Sequence, residues 1–132
     1  MRKILLMAAL CLASTTIYAQ QFGAALTAGD GVIFAGEGGN RVSAGTVYVY
    51  TRAEDGSWME TGKLKAPGSS DEANGFGRAL SVDGNTLVVG APTESAAYVF
   101  EKGEDGTWAN VARLEGFGVG LGSAVAISED QI

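Results

Sequence analysis

Beyond residue 20 the apolar side chains fall in short runs without helical spacing, and glycine breaks those runs at close intervals. "FGRALSVDGNTLVVGAP", residues 76–92, shows the pattern: two apolar runs separated by Asp83-Gly84-Asn85 and stopped at Pro92. β-Branched and aromatic residues crowd "TVYVYT" at 46–51 and "AAYVFE" at 96–101, the types that fit a pleated surface. Alternation sends Val47 and Val49 to one face and Tyr48 and Tyr50 to the other. Both faces carry bulk, so both are expected to be covered. Asp-Gly within "EDGS" at 54–57 and "EDGT" at 104–107 predicts hairpins of type I′, whose two central residues need positive φ. Eight strands follow, at 22–28, 31–36, 45–52, 57–65, 76–82, 86–91, 95–102 and 107–114, in an all-β fold.

The eight strands are two copies of four. "FGAALTAGDGVIFAGEG" from Phe22 coincides with "FGRALSVDGNTLVVGAP" at an offset of 54, pairing Phe-Gly, Ala25 with Ala79, Leu26 with Leu80 and Gly36 with Gly90. "GTVYVYTRAEDGSWMETGKLKA" at 45–66 answers "SAAYVFEKGEDGTWANVARLEG" at 95–116 at an offset of 50, matching Tyr48 with Tyr98, Tyr50 with Phe100, Trp58 with Trp108 and Leu64 with Leu114. A third copy opens where Leu121, Gly122, Ala124 and Val125 take the places of Phe76, Gly77, Ala79 and Leu80. Four antiparallel strands per repeat of this length are the signature of a β-propeller blade. The reading is a first blade at 20–66, a loop at 67–75, a second blade at 76–116 and the start of a third at 117–132. A closed ring needs about four to eight blades. About two and a third blades leave it incomplete, so the chain is expected to be the amino-terminal portion of a longer protein. The repeat-locked tryptophans read as packing between neighbouring sheets rather than as stacking platforms for carbohydrate.

The first 19 residues change the picture. Arg2 and Lys3 precede an apolar run from Ile4 to Ala13 and a small, polar stretch ending at Ala19, the layout of a secretory signal peptide. The run is too short for a transmembrane anchor, which takes roughly 20 residues. Leu10 before Cys11 does not fit a lipobox. Cleavage after Ala19 leaves 113 residues without cysteine, with seven basic and fifteen acidic side chains and a net charge of −8. The expected location is the periplasm, the cell surface or the extracellular space, with no membrane span after cleavage. Without histidine or a basic patch, nucleic acid is not an expected partner. The same lack excludes a Ser-His-Asp nucleophile, no phosphate loop is present, and Asp71-Glu72 sits in a Pro-Gly-Ser-Ser loop rather than in an acid–base pair.

Phe-Gly opening a first strand and Gly-Ala-Pro closing a second, followed by "YVF…DGTW…LEG", resembles the FG-GAP repeat of integrin-alpha-like β-propellers in its bacterial form. The match weakens in the first copy, where "GEG" at 36–38 replaces Gly-Ala-Pro, and in the third, where Leu121 replaces phenylalanine. Many such blades bind calcium through an acidic loop between the first two strands, yet "AGDGV" at 28–32, "VDGNT" at 82–86 and "SEDQI" at 128–132 hold one or two carboxylates each. Calcium needs six to eight oxygens, and Asp30, Asp83 and Asp130 do not share a register. These loops therefore read as hairpin turns, with no metal and no other cofactor. The resemblance implies a non-catalytic binding module whose recognition rim is formed by the loops at 37–44, 67–74, 92–95 and 115–120. Glu37, Asn40, Arg41, Asp71, Glu72 and Glu94 are the candidate contacts, toward a protein or glycan ligand. Further blades or another subunit are expected to close the ring. The other readings are an accessory propeller domain of a larger secreted hydrolase and a structural envelope protein.

Overall fold

Turn glycines with β-branched runs between them produce eight strands in the computed structural model, which describes residues 21–39, 41–129 and 131–132. The leader reading and the site residue Asn40 lie outside the described residues, as does Asp130. The strands are β1 Ala25–Gly29, β2 Val32–Gly36, β3 Val47–Arg52, β4 Trp58–Leu64, β5 Ala79–Asp83, β6 Thr86–Ala91, β7 Ala96–Lys102 and β8 Trp108–Glu115. β1–β4 form one antiparallel sheet in chain order and β5–β8 a second. Each is a four-stranded blade, and the two do not close into a ring.

Two local expectations need correction. The Phe-Gly pairs precede β1 and β5 instead of opening them. Gly23 and Gly77 hold φ of 75° and 87°, a left-handed conformation that glycine adopts at little cost and that turns the chain out of the extended ladder. Their amides donate instead to the carbonyls of Gly36 and Gly90, at 3.0 and 3.1 Å. The Asp-Gly hairpins, in turn, are not type I′. Gly56 and Gly106 have positive φ, but Asp55 and Asp105 do not. The Gly56 amide donates to Ala53 at 2.9 Å and the Ala53 amide to Ser57 at 2.8 Å, and Gly106, Gly103 and Thr107 repeat that pattern. This is the three-residue loop, a type I turn followed by a left-handed glycine. The Asp55 carboxylate accepts from both the amide and the hydroxyl of Ser57, at 2.9 and 2.6 Å. Asp105 does the same for Thr107, at 3.0 and 2.7 Å.

The repeat extends to an irregularity. β3 pairs with β4 through Val49↔Gly62 and then Tyr50↔Glu60, leaving Thr61 as an extra residue. β7 pairs with β8 through Val99↔Ala112 and then Phe100↔Asn110, leaving Val111 extra. Both outer strands thus carry a bulge at the same place, which bends the strand and re-aims its side chains.

One core lies between the sheets. Phe34, Val47, Val49 and Leu64 of the first blade join Phe76, Leu87, Val89, Tyr98 and Phe100 of the second in a single buried cluster. Phe76 is fully buried, with its ring edge-on to Tyr98 and Phe100 at 5.5 and 6.0 Å. Trp108 meets Phe34 edge-on at 5.0 Å, so this tryptophan packs between sheets as its repeat position implied. The seam is set by glycine. A Cβ on Gly36 would collide with the Gly77 carbonyl, and one on Gly45 with that of Phe76. The next seam repeats the arrangement, since a Cβ on Gly90 would strike the Gly122 carbonyl. The glycine of Gly-Ala-Pro in one blade therefore seats the glycine of Phe-Gly in the following one. The third unit lies beside β5: the Ile127 amide donates to Ser81 Oγ at 3.1 Å and the Glu129 amide to Asp83 Oδ2 at 2.7 Å.

Candidate recognition rim

In an antiparallel meander the β1–β2, β3–β4, β5–β6 and β7–β8 turns share one end of the molecule. The longer connections share the other, and there they are tied together. The Ala44 amide donates to the Asp71 carbonyl at 3.2 Å and the Gly116 amide to Ser95 at 3.4 Å. Buried Asn74 is the central clip: its Oδ1 accepts from Gly45, on the first blade, at 2.9 Å and from Phe76, entering the second, at 3.0 Å. Pro92–Glu94 form a single 3-10 turn. It closes at Ser95, which takes φ of 50°.

The candidate contacts divide by exposure. Arg41, Asp71 and Glu72 are exposed. Glu37 is buried, its amide bonded to the Thr46 carbonyl at 2.8 Å and its carboxylate accepting from the Tyr48 hydroxyl at 2.8 Å. Glu94 is half-buried, accepts from the Tyr98 hydroxyl at 2.5 Å and pairs with Arg113 at 3.8 Å. The structure thus joins the loops bearing Arg41 and Asp71, while Glu37 and Glu94 turn inward to separate tyrosines.

Those tyrosines and their cations are site residues that the sequence reading missed. Lys63 lies over the Tyr48 ring at 5.0 Å, and Arg113 over Tyr98 at 5.6 Å, donating from Nε to the Tyr98 hydroxyl at 3.1 Å. Arg113 also pairs with Glu115. Each blade therefore carries a tyrosine between a carboxylate and a cation. The tyrosines and cations are repeat-equivalent and visible at the offset of 50. The glutamates come from non-equivalent loop positions, for which the repeat holds no signal. The Glu37 hydrogen bond, then burial, pushes the Tyr48 hydroxyl above its usual range. Burial, then the Glu94 hydrogen bond, does the same for Tyr98 against the opposing effect of Arg113. Both remain neutral donors at ordinary pH.

Beside the second triad a cleft of about 330 Å3 is lined by residues 67–70 with Glu94, Tyr98 and Arg113. Phe117 and Val119, on the 115–120 loop, are fully exposed. Among the described residues no three His, Cys, Asp or Glu side chains come together as metal ligands. No curated protein matches the chain. Residues 58–103 match the model of the FG-GAP repeat family, a stretch that runs from β4 of the first blade across the seam to the end of β7. It contains both Phe76-Gly77 and Gly90-Ala91-Pro92, the glycines that seat blade on blade, so residues 58–103 carry an FG-GAP repeat.

Proposed function

We propose that these blades form an exported, non-catalytic recognition module that binds a protein or glycan ligand, at the cell envelope or outside the cell, through the rim. The observation that carries this reading is the mutual tethering of the rim loops through Ala44–Asp71 and Asn74. Loops held to each other present a fixed surface, which spares the entropy of ordering them on binding. The leader-like first 19 residues support export, and no helix among the described residues is long and apolar enough to cross a membrane. The outward face of the first blade, with Phe22 and Leu26 exposed, is the seat of a further blade or of another subunit. The rim is tested by replacing Arg41, Asp71 and Glu72 together with alanine and measuring binding to isolated envelope material. A loss of tenfold or more, about 1.4 kcal/mol, with unchanged circular dichroism is expected. Equal binding by the triple variant and the parent would remove the rim as the recognition surface.

A further inference from the structure

A groove of about 370 Å3 runs between the outer strand of the first blade and the β7–β8 hairpin of the second, within the size range of small-ligand clefts, roughly 300–1,000 Å3. It sits on the seam toward the hairpin end, away from the rim. Its floor is apolar, made of Val32, Val49 and Leu64. One wall is the half-buried Trp108, whose edge-on contact with Phe34 fixes the plane of the indole. The indole N–H has no hydrogen-bond partner among the described residues.

The facing wall comes from the bulge. In the second blade the equivalent bulge is plugged by Asn110, whose amide donates to the Val99 and Ala112 carbonyls at 3.0 Å each. In the first blade the smaller Thr61 takes this place, its hydroxyl donating to the Val49 carbonyl at 3.5 Å. Gly62 faces Val49, where a Cβ would make ordinary van der Waals contact with that side chain at 3.9 Å. Beside it the Thr51 and Thr61 hydroxyls pair at 2.8 Å on the groove wall. Lys102 lines the groove and makes no ion pair among the described residues. Asp105 lines it too, with Oδ1 taken by Thr107 and Oδ2 left to accept.

We propose that this groove is a second binding site, for one neutral pyranose unit of a glycan, with an apolar sugar face against Trp108 and hydroxyls shared among Thr51, Thr61, Lys102 and Asp105. Lys63 lines the groove as well, but its ammonium is paired with Glu60 at 3.5 Å, so the mixed charges of Lys102 and Asp105 disfavour a ligand of strong single charge. An aromatic wall beside groups that donate and groups that accept selects a ligand with one apolar face and hydroxyls that do both. Trp58→Phe leaves Trp108 as the sole tryptophan of two, and its emission reports on the groove. That variant is titrated with methyl glycosides and short oligomers of glucose, galactose, mannose and N-acetylglucosamine. The expected result is a saturable emission change with at least one sugar, weakened fivefold or more by Lys102→Ala and by Thr61→Ala, both exposed positions whose loss leaves the fold intact, and abolished by Gly62→Val. The Arg41, Asp71 and Glu72 replacements should leave it unaltered, so this site and the rim stand or fall separately. No saturable change with any of these sugars, or a change that Lys102→Ala and Thr61→Ala leave intact, would overturn the proposal.

Discussion

The two blades share strand order, register, bulge, hairpin geometry and a tyrosine between a carboxylate and a cation, yet equivalent side chains end in opposite environments. Phe76 is fully buried while Phe22 is 53% exposed. Leu80 packs against the core while Leu26 is 64% exposed, and Trp108 sits on Phe34 while Trp58 is 44% exposed. The local sequence does not account for this difference. The second blade has the first lying on its face; among the described residues nothing lies on the same face of the first. Burial in a repeat is a property of the seam, because each unit covers its neighbour rather than itself.

The two blades should differ most in the response of their cores to truncation. Phe76→Ala should cost about 3–5 kcal/mol, the range for large core aromatics, whereas Phe22→Ala should cost under about 1 kcal/mol; urea unfolding of the two variants measures both. Equal costs would contradict the burial of Phe76 by the neighbouring blade. Gly36→Ala or Gly90→Ala should destabilise by about 1–3 kcal/mol through overpacking, because the colliding atoms are backbone carbonyls that cannot turn aside. Gly62→Ala, whose Cβ would only touch Val49 at an ordinary 3.9 Å, should cost under about 1 kcal/mol.

Tyr98→Phe removes a donor to Glu94 and an acceptor from Arg113 and should cost about 1–2 kcal/mol. Tyr48→Phe, which removes one hydrogen bond, should cost less. Because both hydroxyls are raised above their usual value near 10, their contribution is complete below that pH and is lost as pH rises through the folded value. Stability measured from pH 8 to 11 should therefore fall less steeply in Tyr98→Phe than in the parent. The smallest effect belongs to the hairpins. Ser57 and Thr107 hold Asp55 and Asp105 below the usual carboxylate range. Their contribution is present above about pH 4 and is lost as pH falls through the folded values. Acid titration should show Asp55→Ala and Asp105→Ala behaving alike, since both carboxylates cap their own turns from solvent.

Strand content, hairpin positions and the repeat were legible because they rest on local features: period-two alternation, Asp-Gly turns and recurring aromatics. Phe-Gly was misplaced inside β1 and β5 because an aromatic before glycine reads as strand locally, while the seat of that glycine belongs to the neighbouring blade. The turn type was missed because Asp-Gly serves both loop geometries, and only the hydrogen-bond pattern distinguishes them. At the rim, the loop boundaries were readable, but the inward turn of Glu37 and Glu94 depends on loop paths that no sequence period encodes. Asn74 was invisible for the same reason: its two amide partners are 29 and two residues away, and only the packed blades bring them to one oxygen.

The sheets pack face to face as consecutive blades, and proton NMR tests this most directly through contacts between the Phe34 and Trp108 rings. Clear cross-peaks are expected between these rings, whose centroids lie 5.0 Å apart, alongside those within each sheet. Intact contacts inside both sheets with none between Phe34 and Trp108 would contradict it.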